Sequence, residues 1–159
     1  TLDNHEGFQL VEYAQRDATF TGLEGEIRQK LTPSISATVF GDYVRARFDE
    51  GEGSRNLPRI PASRLGVKFD GDWNQWHGMV EFYRVGKQDK LAEYETETAG
   101  YNMLNIGAHY STRIGGVPTQ FYARLNNLTD ELAYSHTSFI KNAAPLTGRN
   151  LTAGIRVIF

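Results

Sequence analysis

The chain has 159 residues, a formal net charge of −2 at pH 7, 12% aromatic residues and no cysteine. The absence of cysteine excludes disulfides, thiolate metal sites and a cysteine nucleophile. A charge this close to zero argues against a nucleic-acid partner. No apolar run reaches the roughly 18 residues that a transmembrane helix needs.

The first half of the chain alternates between polar and apolar residues with a period of two, which is typical of half-buried β-strands. Residues 7–15 form an ambiguous first segment. Residues 18–31 and Ile35–Phe48 are clearer predicted strands. The second of these changes phase near Tyr43, which indicates either a β-bulge or the end of a membrane zone.

Five later segments alternate more regularly, and the last is the clearest because Leu151, Ala153, Ile155, Val157 and Phe159 share one face. These segments are residues 64–70, 76–83, 104–110, 120–126 and 150–159. The chain is therefore predicted to be all-β, with about eight antiparallel strands.

The predicted connections alternate in length. Short turns fall at residues 32–34, 74–75 and 114–118, and long polar loops at 49–59, 86–100 and 128–149. Outer-membrane β-barrels have this layout, with turns at the periplasm and loops outside. If Phe159 is periplasmic, counting strands backwards places all the short turns at the periplasm and all the long loops outside.

Two further features favour a membrane barrel over a soluble antiparallel sandwich or soluble ligand-binding barrel. One predicted strand carries charges along a whole face, at Glu24, Glu26, Arg28 and Lys30, as expected for a wet lumen. Aromatic residues lie at strand ends, as in the girdles at membrane interfaces. These aromatic residues are Trp73, Trp76, Phe121 and Phe159. A small, self-closed barrel of eight strands, structural or enzymatic, is a third alternative.

The C-terminal third resembles the last two strands of TonB-dependent outer-membrane receptors. The matching residues are Asn127-Leu128-Thr129-Asp130, Tyr134, Pro145 and Gly148-Arg149. Weaker similarities to strand-entry patterns of these receptors occur at Gln15, Ala18, Gly22, Glu24, Arg59, Pro61, Glu95 and Gly100-Tyr101. Within the family, residues 136–150 are most similar to the zinc-uptake component D (ZnuD-like) receptors.

The resemblance implies a 22-strand barrel with an N-terminal plug domain and a TonB box. We therefore expect residues 1–159 to be the C-terminal part of such a barrel, without plug or TonB box. The implied substrate is zinc or a metal complex such as haem. The implied partners are outer-membrane lipid and lipopolysaccharide, the TonB complex through the plug, and the outer-membrane assembly machinery, which would read Phe159 as a signal.

Histidines are the main candidates for metal contact. His77 and His109 fall on the predicted lumen face, and His136 lies in the longest external loop. Imidazole is a common zinc ligand. Plain polar lumen or loop residues are the alternative, since no HExxH motif or close histidine pair occurs. No catalytic residue, nucleotide loop or resident cofactor is predicted, so the chain is expected not to be an enzyme.

Overall fold

The computed structural model describes residues 15–50 and 53–158, together with the backbone of two short strands at Asn4–His5 and Phe8–Gln9. Every regular element among these residues is a β-strand. No helix in this part of the chain is long and apolar enough to cross a membrane.

Nine strands are described, two of them in a separate short hairpin. They are β1 (Asn4–His5), β2 (Phe8–Gln9), β3 (Ala18–Lys30), β4 (Ile35–Phe48), β5 (Arg64–Trp73), β6 (Trp76–Val85), β7 (Tyr101–Ile114), β8 (Val117–Asn126) and β9 (Asn150–Val157). β1 pairs with β2 only, and β3 to β9 form one antiparallel sheet in chain order. The all-β antiparallel prediction is confirmed.

The main sheet has seven strands rather than about eight. The missing strand was predicted at residues 7–15. Most of that segment lies outside the described residues, and its described part, Phe8–Gln9, pairs with Asn4–His5 instead. Phe159, the predicted assembly signal, also lies outside the described residues. The other seven predicted strands are confirmed.

The connections alternate as predicted. Tight connections join β3 to β4, β5 to β6 and β7 to β8 at one end of the sheet, called here the turn end. Residues 49–63, 86–100 and 127–149 join the remaining pairs at the opposite, loop end. Asn74 has a φ of 51°, the left-handed conformation that the two-residue turns of hairpins require.

The strand register gives the sheet one apolar and one polar face. Partners in an antiparallel ladder project to the same side, so each row of partners shares a face. One such row is Ile27, Val39, Val67, Phe82 and Leu104. The adjacent row is Arg28, Thr38, Lys68, Glu81 and Asn105. The apolar face is well exposed, with Ile27 at 75% and Leu65 at 64%.

Of the two interpretations of the phase change near Tyr43, the β-bulge is wrong. The β3–β4 register runs without interruption from Lys30↔Ser36 through Leu23↔Tyr43 to Ala18↔Phe48. β5 stops pairing at Asp42↔Arg64, so the last residues of β4 extend beyond the seven-strand part of the sheet. The change of phase therefore marks the point where β4 leaves the apolar zone, which was the other interpretation of the pattern.

Aromatic side chains line the turn end of the apolar face. Trp73 and Trp76 are register partners flanking the Asn74-Gln75 turn, and the Trp76 and Tyr110 ring centroids are 4.9 Å apart. A methyl group at Gly71 would collide with the Trp73 ring, so this ring lies flat over a glycine. Both indoles remain more than half exposed. Burial of these tryptophans, which a soluble sandwich requires, is not observed.

The sheet packs against no second layer among the described residues. Only Ala46, Met103 and Ala133 are buried hydrophobic residues there. A soluble domain of this length needs a substantial apolar core. The described pairing also ends at β3 on one side and at β9 on the other, so the sheet is not a self-closed barrel of eight strands. The sheet has the organisation of a segment of a larger β-barrel wall.

Candidate functional site

The polar face and the loops above it carry the candidate functional groups. Near the turn end, Asp72, His77, His109 and Tyr122 form one row across four strands. The imidazole rings of His77 and His109 stack with centroids 4.6 Å apart and planes 17° from parallel. The structure thus makes the two histidines direct neighbours on adjacent strands.

Two aspartates orient His77. Its Nδ1 is 2.9 Å from Asp72 Oδ1, and its Nε2 is 3.7 Å from Asp70 Oδ1. A carboxylate that accepts a hydrogen bond from one ring nitrogen selects the tautomer of the imidazole. The sequence signal for this pair was the two-residue turn at Asn74-Gln75, which places Asp72 directly opposite His77.

Glu81 is engaged elsewhere. Its carboxylate accepts a hydrogen bond from Asn105 Nδ2 at 2.8 Å and lies 3.7 Å from the Arg124 guanidinium. No group of three or more metal-ligating side chains converges on one point within the described ranges. His77 and His109 therefore form a half-buried pair of imidazoles on the polar face, and their predicted contact with metal stays a prediction.

The residues that carry the family resemblance meet at the base of the longest loop. Asn127 is 2% exposed and has a φ of 51°. Its side-chain amide donates to the Glu131 and Thr147 carbonyls and accepts from the Glu131 N–H. Its own N–H donates to Asn105 Oδ1 at 2.9 Å. This one side chain joins the start of the loop to its end.

Leu128, Asp130, Gly148 and Arg149 complete this loop base. The Leu128 N–H donates to the Leu104 carbonyl at 2.8 Å, and the Arg149 N–H donates to Asp130 Oδ1 at 2.8 Å. A Cβ at Gly148 would lie 3.0 Å from that aspartate oxygen, so glycine permits the approach. The residues that carry the family resemblance thus join the two ends of the longest loop.

His136 connects two loops. It is 6% exposed, and its Nδ1 lies 2.8 Å from Thr98 Oγ1 and 3.4 Å from Lys141 Nζ. Its Nε2 lies 3.5 Å from Glu95 Oε1 and has no hydrogen-bond partner in the described part of the chain. Lys141 also donates to the Thr96 carbonyl. These contacts place a buried imidazole between a cation and a carboxylate.

Glu95 extends the network to the third loop. Its two oxygens accept hydrogen bonds from the N–H groups of Arg59, at 2.7 Å, and Ala92, at 3.0 Å. The Arg59 guanidinium lies 3.1 Å from the centroid of the Phe139 ring. All three loops are therefore held together. Neither Lys141 nor Arg59 was singled out from sequence in this role, since their partners lie tens of residues away.

A cavity of about 210 Å³ lies between this loop assembly and the polar face of the sheet. Its walls include Arg64, Gln88, Thr98, Tyr101 and His136. Arg64 forms an ion pair of 2.7 Å with Asp42 at the loop end of the sheet. The loops thus cover the polar face at the loop end of the sheet.

Burial lowers the pKa of His136 below its ordinary value of 6.5, Glu95 acts to raise it, and Lys141 lowers it further. Folded His136 therefore binds a proton more weakly than unfolded His136. The contribution of neutral His136 to loop stability is therefore fully present above pH 6.5 and is lost progressively as the pH falls below that value towards the folded pKa. We expect faster amide hydrogen exchange across residues 130–141 as the pH falls from about 7.5 to 5, after correction for intrinsic rates.

A His136→Gln variant should remove this pH dependence, because glutamine keeps a hydrogen-bonding group but does not titrate. His77→Gln is the matched control, since His77 lies at the opposite end of the sheet, and this variant should keep the pH dependence. Equal pH profiles for wild-type and His136→Gln would contradict the assignment.

The fold and these features define a class: the described chain is a segment of an antiparallel β-barrel wall, with one apolar face and one polar face. A solved structure to which the chain is similar is that of the "Copper transporter OprC", with a TM-score of 0.79 and 18% sequence identity. The match covers 88% of this chain and 24% of that chain. The chain therefore spans about a quarter of the length of that transporter. No family model matches the chain.

Proposed function

We propose that this chain forms part of the wall of an outer-membrane receptor of the TonB-dependent type, which takes up a scarce metal or metal complex. The observation that carries the proposal is the two-faced sheet. Seven strands place apolar side chains in register on one exposed face and charged side chains on the other. Lipid on one side and water on the other satisfy both faces.

The orientation follows from the same reasoning. The tight turns and the aromatic row around Trp73 and Trp76 would lie at the periplasmic interface. The three loops joined through His136, Glu95 and Lys141 would face outside, where ligand is first met. The energy for transport would come from the TonB complex through the plug domain that the family resemblance implies.

Membrane placement is testable because the chain contains no cysteine. Leu151 and Thr152 are exposed neighbours that project to opposite faces of β9. In the full-length protein, with any other cysteine replaced, we expect Leu151→Cys to react with a lipid-soluble maleimide but not with a membrane-impermeant one. Thr152→Cys should react with the water-soluble reagent in permeabilised outer-membrane vesicles. Equal water-soluble labelling of both positions would overturn the placement.

The metal substrate is supported by two observations. The structural neighbour carries the name of a copper transporter, and the His77–His109 pair offers imidazole, which suits both zinc and copper. The resemblance of residues 136–150 favours zinc, with haem as the complexed form. We propose that the histidine pair contacts the metal as it passes along the lumen wall.

Uptake measurements separate these substrates. A strain lacking the full-length gene should accumulate less zinc under zinc limitation, with copper and haem tested in parallel. Replacing His77 and His109 by alanine should lower uptake several-fold, whereas Gln120→Ala, on the same face, should not. If limitation of any of the three substrates leaves the deletion strain unaffected, that substrate is excluded while the wall assignment stands.

A further inference from the structure

A second cavity lies on the polar face, nearer the turn end than the cavity under the loops. It has a volume of about 380 Å³, and its walls include Phe40, Glu81, Tyr83 and Arg124. Among the described residues, Arg64 alone lines both this lower cavity and the upper cavity of 210 Å³. The Arg64 side chain therefore lies between the two cavities.

Three groups hold the Arg64 guanidinium in place. Its Nε and Nη2 both contact Oδ2 of Asp42, at 2.8 and 2.7 Å. Its Cζ lies 5.5 Å from the centroid of the Phe40 ring and 6.0 Å from that of the Tyr83 ring. A Cβ at Gly66 would collide with the Phe40 ring, so glycine permits this ring to lie across β5. One carboxylate and two aromatic rings thus orient the cation.

The contact with Asp42 leaves one edge of the guanidinium free. A guanidinium carries five N–H groups, and both of the Asp42 contacts end at a single oxygen atom. Nη1 of Arg64 has no hydrogen-bond acceptor within the described part of the chain, and the side chain is 45% exposed. The edge formed by Nη1 and Nη2 can therefore donate two parallel hydrogen bonds to the carboxylate of a ligand.

Arg64 also precedes the histidine pair on a path along this wall from the loops. Asp72, which shares a row with His77 and His109, follows Arg64 by eight residues in β5, a distance of about 27 Å. A ligand that enters under the loops meets Arg64 before it meets imidazole. A bare divalent cation gains little at this level, because the Asp42 carboxylate is already paired with the guanidinium.

We propose that Arg64 determines which form of the metal passes along this wall, by exchanging the carboxylate of Asp42 for a carboxylate of an incoming metal complex. The inference rests on the proposed function and deepens it, because it names the substrate class as a carboxylate-bearing metal complex rather than a bare cation. One ion pair replaces another of the same chemistry, and the Asp42 side chain, 32% exposed, returns to water. The carboxylate can belong to a small chelator such as citrate or to haem.

The test measures the binding of zinc citrate, haem and zinc chloride to the full-length protein in detergent. Arg64→Gln should weaken binding of a carboxylate-bearing complex about ten-fold, because it removes a charged, two-pronged contact. Arg64→Lys keeps the charge but not the paired donors, so it should weaken binding about three-fold. Affinity for zinc chloride should change by less than about two-fold in either variant.

Asp42→Asn distinguishes ligand selection from a structural role. It removes the carboxylate that competes for the guanidinium, so binding of the carboxylate-bearing complex should tighten about three-fold. If the ion pair only stabilised the fold, Asp42→Asn and Arg64→Gln would both weaken binding. Heat-modifiable gel mobility shows that each variant is folded before its affinity is measured.

Arg28→Gln makes the same chemical change as Arg64→Gln elsewhere on the polar face. Arg28 lines neither cavity, so this variant should bind all three probes like the wild-type protein. Weakening by Arg64→Gln confined to zinc citrate would identify a small chelator as the source of the carboxylate. Weakening confined to haem would identify the porphyrin as that source, and either result supports the inference.

Three results would refute it. These are equal affinity of wild-type and Arg64→Gln for both complexes, equal weakening for zinc chloride, and a shift in the same direction for Arg64→Gln and Asp42→Asn. If the deletion strain nevertheless accumulates less metal, the proposed function stands and only the role of Arg64 fails.

Discussion

The Ala153→Lys variant is expected to lose about 2–4 kcal/mol of folding stability in the membrane, the range found for lysine or arginine at the bilayer midplane on the lipid side of a barrel. Ala153 lies midway along β9 and pairs with Ala123, on the same face as Leu151 and Ile155. An ammonium group there has no described carboxylate within its row. The measurement is urea titration of the full-length protein refolded into lipid vesicles, with the folded fraction read from its heat-modifiable gel mobility.

Thr152→Lys is the control for this substitution. Thr152 is the preceding residue, is equally exposed, and faces the polar side beside Arg124, its register partner. Its replacement should change stability by less than about 1 kcal/mol, since the lysine projects into the wet lumen. If Ala153→Lys proved as mild as Thr152→Lys, the apolar face would not meet lipid.

Asn127→Ala is expected to destabilise the base of the longest loop by about 3 kcal/mol. The variant removes three side-chain hydrogen bonds that join Asn127 to Glu131 and Thr147. It also places alanine, which has a Cβ but no polar side chain to form local hydrogen bonds, at a φ of 51°. Hydrogen exchange and limited proteolysis across residues 127–149 should both accelerate, while the strands remain protected.

Two further variants separate these causes. Asn127→Gly removes the hydrogen bonds but tolerates the positive φ, so it should be less damaging than alanine by up to about 1 kcal/mol. Asn142→Ala makes the same chemical change at an exposed position of the same loop and should have little effect. Equal protease sensitivity of Asn127→Ala and Asn142→Ala would show that Asn127 does not hold the loop.

The strands were predictable because a sheet with one apolar and one polar face imposes a period of two over its whole length. That pattern survives with few exceptions in the five strands from Arg64 to Val157 and less regularly in the two strands before them, so seven strands and their connections are predictable from sequence. The phase change at Tyr43 was ambiguous because the pattern alone does not distinguish a bulge from a strand that extends past the apolar rows. The observed β3–β4 register distinguishes them.

The site was less predictable because its contacts are long-range. His136 is a candidate on sequence alone because it is a histidine, but its burial depends on Thr98 and Glu95, which precede it by 38 and 41 residues. The contact between His77 and His109 depends on the register of β6 against β7. Residue spacing across a long loop does not predict that register. The Asn127–Asp130 motif was recognised by resemblance, and only the structure shows that it closes a loop.

The pairing of each strand with its neighbour in sequence also has a consequence for how the wall is built. Every ladder from β3 to β9 joins consecutive strands, so no pairing has to wait for a distant part of the chain. Closing a short turn costs less chain entropy than closing a long loop. The hairpins β3–β4, β5–β6 and β7–β8 are therefore the natural units of assembly, which later join across the long loops.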